Sequence, residues 1–207
     1  MDDNFDNEPQ WISPGTERTE QNTTETGRSG FFRFLVDVLE TLILSVLLFL
    51  AINTISARIR VDGSSMEPTL QSGEFIVVNR LAYKLGDPEL RDVVVFHFPG
   101  DPGLEYIKRV VGLPGDTLRI TNGSLYVNDQ LLNEPYIAAK PRYNGSWQVP
   151  EGHVFVLGDN RNNSSDSHNW GAVPMENVIG EAFFVYWPPT DWGRISTEAS
   201  ANAASMP

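Results

Sequence analysis

A serine hydroxyl is a poor nucleophile until a base removes its proton, and a lysine can be that base only where burial favours the neutral amine. The chain carries one residue of each type in suggestive surroundings. Ser65 lies in Asp62-Gly-Ser-Ser-Met-Glu-Pro-Thr-Leu70, and Lys108 lies in Tyr106-Ile-Lys-Arg-Val-Val-Gly-Leu-Pro-Gly-Asp116. If the lysine segment is a strand, alternation puts Lys108 on one face with Tyr106 and Val110, an apolar wall able to desolvate an ammonium. Arg109 then shares the opposite face with Ile107 and Val111. A third patch, Gly158-Asp-Asn-Arg-Asn-Asn-Ser-Ser-Asp-Ser-His-Asn-Trp-Gly171, is dense in Asn and Ser. Plainer readings stand beside the chemical one. Asp-Gly-Ser-Ser is turn chemistry, a strand lysine commonly faces solvent, and Asn/Ser loops commonly satisfy their own backbone.

Other chemistries find less support. His97, His153 and His168 fall in no Gly-x-Ser-x-Gly or His-Glu-x-x-His context, which counts against a histidine triad and against metal catalysis. Gly112-Leu-Pro-Gly115 reads as a turn between strands. With no cysteine there is no disulfide framework, thiolate metal site or thiol nucleophile. A net charge of −12 and no Lys/Arg run longer than two argue against nucleic acid as a partner. No cofactor is indicated.

The elements that must position these residues fall into four zones. Residues 1–30 carry seven acids among Thr, Asn and Gly without periodicity, and are expected to be a disordered acidic arm. Residues 31–57 are the most apolar stretch, with no charge between Thr41 and Ala57. From Phe34 to Ile55 a helix would rise about 33 Å, enough to cross a hydrocarbon core, so a transmembrane helix is expected, with Asp37 and Glu40 in its first turns. The flanking arginines, Arg28 and Arg33 against Arg58 and Arg60, give it no direction. Residues 58–189 alternate short β-rich runs with Gly, Pro, Asn and Asp, and are expected to form an all-β domain. Strands are expected at 74–80, 92–98, 106–112, 116–120, 124–127, 153–157 and 178–187, with a type I′ hairpin at Asn122-Gly123 and a second turn at Asn128-Asp129. Residues 190–207 are expected to be a disordered tail.

Three strings taken in order resemble type I signal peptidase, the membrane-bound Ser/Lys endopeptidase family: Gly63-Ser-Ser-Met-x-Pro-Thr-Leu70, Lys108-Arg-x-Val-Gly-Leu-Pro-Gly-Asp116, and Gly158-Asp-Asn-Arg-x-Asn-Ser-x-Asp-Ser167. Arg91-Asp-Val-Val-Val-Phe96 fits as well, where the family usually has Arg-Gly-Asp. The last string looks most like cyanobacterial and thylakoid-type members. The resemblance implies a mainly β fold, with one N-terminal transmembrane helix followed by an all-β catalytic domain of signal-peptidase type. It implies Ser65 as nucleophile and Lys108 as general base. Ser164 is then expected to hydrogen-bond the lysine amine, and Asp166 to form an ion pair with Arg109. Family members often carry arginine where this chain has His168. Some add a serine hydroxyl two residues before the nucleophile, where this chain has Gly63, so the second oxyanion donor is expected from Ser64 or another backbone group. Met66, Leu70, Ile76, Tyr106 and Ile107 match positions that line the pockets for small residues.

The function so implied is removal of signal peptides from exported precursors after Ala-x-Ala-like sites, by an enzyme anchored in the plasma membrane by a single span with its β domain on the outer face. Precursors and the lipid membrane are the expected partners. Tethering enzyme and signal peptide in one membrane raises their effective concentration. Two other readings compete: a self-cleaving Ser/Lys protease of the repressor-cleavage type, and a membrane-anchored β module that only binds. A Lys108 amine more than about 5 Å from the Ser65 hydroxyl, with no closing motion available, would favour the binder.

Overall fold

The computed structural model describes residues 25–195. Most of the expected acidic arm and all of the tail beyond residue 195 lie outside the described residues. The first element is a helix, α1 (Glu25–Ile55), within which Gly30–Ile55 is long and apolar enough to cross a membrane. Its apolar side chains are exposed on every side, which suits a lipid solvent and not water. The polar groups along it are turned inward on the helix itself: the hydroxyls of Thr41, Ser45 and Thr54 donate to the carbonyls of Asp37, Thr41 and Leu50 one turn back. The helix starts six residues before the expected boundary at residue 31, and it ends at Ile55 because Ser56 and Ala57 already belong to a strand.

That strand is β1 (Ser56–Arg60), followed by β2 (Phe75–Asn79), a single helical turn α2 (Ala82–Leu85), β3 (Val93–Phe98) and β4 (Asp101–Gly112). Next come β5 (Thr117–Thr121), β6 (Ser124–Val127), β7 (Gln130–Leu131), β8 (Gly145–Gln148) and β9 (His153–Leu157). A turn α3 (Ser167–Trp170), then β10 (Val173–Pro174), β11 (Val178–Trp187) and β12 (Gly193–Arg194) complete the domain. Its strands form one antiparallel sheet in the order β1-β2-β11-β3-β4-β9-β10, with β12 beside β11, and a smaller one in the order β7-β6-β5-β8. The domain therefore runs past residue 189: β12 pairs with β11, and Ile195 packs on the core.

Alternation explains how the large sheet is buried at its centre. On β3, Val93 and Val95 point into a cluster with Met66, Leu70, Ile76 and Val78, whereas Val94 and Phe96 point the other way onto Val110, Val154 and Val156. A strand covered on both faces reads as a continuous apolar run, which is what Val93-Val-Val-Phe96 is. The small sheet closes over a third cluster built on Leu118, Ile120, Leu125, Phe155 and Leu157. Both expected turns form with positive φ at their two central residues, 50° and 74° at Asn122-Gly123 and 51° and 62° at Asn128-Asp129.

Candidate active site

Three segments converge on the edge of the first cluster. After β1 the chain turns at Gly63, whose φ of 88° suits glycine, into a short coil in which the amide of Leu70 donates to the carbonyl of Met66. Met66 and Leu70 sink into the core and so hold Ser64 and Ser65 at its rim. The second segment is the middle of β4, paired with β3 so that Lys108 lies opposite Val94. The third is the loop 158–166, which grips the serine turn by its backbone. The amide of Asn160 donates to the Ser65 carbonyl (3.0 Å), its side chain to the Ser64 carbonyl (3.1 Å), and the Asn163 side chain to the Ser64 hydroxyl (2.9 Å).

Lys108 is 4% exposed, and its Nζ donates to Ser65 Oγ at 2.8 Å and to the Ile107 carbonyl at 2.9 Å. Its ammonium is 5.4 Å from the centre of the Tyr106 ring. Burial pushes the Lys108 amine down to about 8; the more distant negative charges of Asp166 and Asp159 act in the opposite direction and do not overcome it. An amine in that range is often neutral at mildly alkaline pH, the condition for a general base.

The dyad opens on a groove of about 290 Å³. Ile76, Tyr106 and Ile107 line it as expected, joined by Ile59 and Val95, which the sequence reading passed over, and the charged Arg60, Asp62 and Glu105 stand along it. Met66 and Leu70, expected at the pockets, do not line the groove. At 1% and 0% exposure they are core residues behind it, because the coil after Ser65 turns them inward.

Two expected contacts are replaced by others. Ser164 Oγ was expected on the lysine amine but is buried without a hydrogen-bond partner among the described residues, packed against the Cα of Gly158. Gly158 has no room for a side chain: a Cβ there would lie 2.3 Å from Ser164 Oγ and 2.4 Å from the Ser65 carbonyl oxygen. The expected Asp166–Arg109 ion pair gives way to a fork of Arg109 onto Asp159, with Nε to Oδ1 at 2.8 Å and Nη2 to Oδ2 at 2.6 Å, both residues fully buried. Asp166 is held elsewhere. It accepts from the Gly158 amide at 2.9 Å and from His168 Nδ1 at 2.5 Å.

The same loop carries a second buried ion pair that sequence reading missed. Arg161, 1% exposed, meets both oxygens of Glu134 at 2.9 and 2.6 Å and donates Nε to the Gly158 carbonyl at 3.0 Å. Tyr136 lies between the two guanidiniums, with its ring centre 4.0 Å from Arg109 and 5.9 Å from Arg161. The available signal was Asp159-x-Arg161 in a loop otherwise short of charge, but its partners lie 50 and 27 residues away. Among the described residues no group of His, Asp and Glu is placed to hold a metal ion.

Comparison with known proteins bears on the same segments. The family model described as signal peptidase, peptidase S26, matches residues 35–187. The chain is 42% identical over 175 residues to a probable signal peptidase I-2 of Synechocystis sp., covering 81% of this chain and 80% of that one. A signal peptidase I of Leptolyngbya laminosa is 41% identical over 175 residues, covering 80% and 86%. Thylakoidal processing peptidase 1 of Arabidopsis thaliana is 40% identical over 142 residues, covering 63% of this chain and 42% of that one.

Proposed function

The chain belongs to the S26 signal peptidase family of serine endopeptidases, whose work is signal-peptide removal, and from that premise we propose that Ser65 is its nucleophile and Lys108 its general base. The observation that carries this is the 2.8 Å contact between Nζ and Oγ at a lysine that is 4% exposed. The contact is well short of the roughly 5 Å beyond which a binding module would be favoured, and so supports the peptidase reading.

In the neutral amine the direction of that hydrogen bond reverses, and the Ser65 hydroxyl donates to Nζ. As Oγ attacks the carbonyl carbon of the scissile bond, its proton passes to Nζ. Collapse of the tetrahedral intermediate breaks the C–N bond, and Nζ returns the proton to the departing amine nitrogen. A water then gives its proton to Nζ as its oxygen attacks the ester carbon; Oγ leaves and recovers the proton. The oxyanion formed in both halves is received by the Ser65 amide and by the Ser64 hydroxyl. Because Ser64 Oγ already accepts from Asn163, its own hydrogen is free to donate. The precursor lies extended in the groove, where Ile59, Ile76, Val95 and Ile107 leave room for small side chains, in keeping with Ala-x-Ala-like sites.

We place the helix α1 across the plasma membrane as a single span and the β domain on its outer face, where exported precursors arrive. The test is cleavage of a precursor with an Ala-x-Ala site by the full chain in detergent. Ser65→Ala and Lys108→Ala are expected to lose at least about 10⁴-fold in kcat while remaining folded. For the wild type, kcat/KM is expected to rise through about pH 8, since the active form is the deprotonated amine. Cleavage at an undiminished rate by Lys108→Ala removes the lysine from the mechanism.

A further inference from the structure

His168 takes no part in the proton transfers above, yet it is joined to the dyad by three consecutive contacts. Its Nδ1 meets Asp166 Oδ1 at 2.5 Å, and its ring stacks on Tyr143 with centroids 4.0 Å apart and planes 9° from parallel. Asp166 is 0% exposed, and its other oxygen, Oδ2, accepts the Gly158 amide. Gly158 in turn lies hard against the Ser65 carbonyl oxygen and Ser164. The histidine side chain is 15% exposed and lines a cavity of about 420 Å³, which Asp166 does not face. We propose that His168 is a positioning residue for the dyad: its ring locks the Asp166 carboxylate onto the Gly158 amide, and its charge determines how much of the Asp166 charge is felt at Lys108. The proposal rests on the Ser65/Lys108 reading.

Asp166 is the larger of the two negative charges acting on the Lys108 amine, and both favour its protonated form. A cation beside Asp166 offsets that charge and makes the lysine easier to deprotonate; a neutral residue there leaves it in force. The groups facing His168 are Asp166 on its own turn, Tyr143 stacked on its ring, and Arg142 and Arg161 around the cavity, with Glu134 held by Arg161. Both arginines keep their charge across the working range. Burial pushes the Tyr143 phenol up, so it stays neutral there too.

The experiment uses the full chain in detergent with His168→Arg, His168→Gln and His168→Ala. The chain has three lysines, Lys84, Lys108 and Lys140, so carbon-13 labelling at Cε and NMR follow Lys108 directly, with Lys108→Met assigning its signal. The expected order places the Lys108 titration lowest in the Arg variant and highest in the Gln variant. Those two are separated by about half a pH unit or more, with the wild type at or between them. The alkaline limb of precursor cleavage moves in the same order. His168→Ala is expected to lose about tenfold in kcat with KM within about twofold, the mark of lost positioning rather than lost binding. Coincident Lys108 titrations in the Arg and Gln variants, or full kcat in His168→Ala, overturn the proposal. If the wild type cuts no precursor at any pH, the dyad reading falls instead, and the NMR titration still decides whether His168 and Lys108 are coupled.

Discussion

Lys108 and Arg109 are adjacent on β4, both buried cations, and the fold surrounds them differently. Arg109, 0% exposed, is forked onto Asp159 and donates Nη1 to the Arg91 carbonyl at 2.9 Å. Lys108 has a hydroxyl and a carbonyl as hydrogen-bond acceptors, and among the described residues no carboxylate lies within ion-pair distance of it. Strand alternation sends the two side chains to opposite faces, so one register sets up both environments. The contrast explains the division of labour. A buried guanidinium with its carboxylate is a fixed strut, whereas a buried ammonium without one is under pressure to lose its proton. Arg109 and Arg161 brace the loop 158–166 that grips Ser64 and Ser65, and the brace encloses Lys108, the proposed general base.

Removing the partner of Arg109 and removing the ammonium of Lys108 should then have opposite effects on stability. Asp159→Ala leaves the Arg109 charge without its carboxylate and Thr69 without its acceptor, and is expected to cost about 3–5 kcal/mol, read as a lower urea midpoint for the full chain in detergent. Lys108→Met is expected to do the reverse. The unfolded lysine keeps its proton up to about 10.5 while the folded one releases it near 8, so at neutral pH the wild type carries an energetic penalty that methionine lacks. The Met variant should be more stable at pH 7 by up to about 3 kcal/mol, less the lost Ser65 hydrogen bond. Between about 8 and 10.5 the unfolded chain binds more protons than the folded one, so wild-type stability climbs with pH and the gap closes. A gap that stays constant from pH 7 to 10.5 would mean that Lys108 is not held neutral by burial.

The two neighbours also mark how far sequence reading reaches. Alternation set Lys108 among apolar side chains but fitted Arg109 beside Ile107 and Val111 equally well; its pairing with Ser65 was legible from the resemblance of three ordered strings to the family, and the structure puts the two groups in contact. The hairpin turns were legible because Asn-Gly and Asn-Asp sequences tolerate positive φ. The partner of Arg109 was not legible, since Asp159 and Asp166 offer the same chemistry seven residues apart in one loop and only the path of that loop chooses between them. Met66 and Leu70 failed as groove residues for a related reason. The residues after Ser65 point wherever the local coil turns, and this coil turns them into the core. The strands β1, β7, β8, β10 and β12 were missed as well; these runs of two to five residues owe their pairing to neighbours rather than to their own pattern.

The smallest expected effect tests whether the braced loop reaches into the chemistry itself. Ser64 stands between the two regions: its carbonyl and hydroxyl are both held by asparagines of the loop, and it lines the groove beside Ser65. If its hydroxyl serves only to anchor the loop, Ser64→Ala should lower the urea midpoint and leave kcat nearly unchanged. If it also donates to the oxyanion, kcat should fall by about 100-fold as well, with KM close to wild type, since one hydrogen-bond donor to developing charge acts in the transition state and not in the ground state. The second outcome is the one expected, because the Asn163 amide occupies the Ser64 oxygen as a donor and so leaves the hydroxyl hydrogen without a competing role. Asn163→Ala should then reproduce part of the same loss in kcat, as the hydroxyl is freed to turn away from the groove.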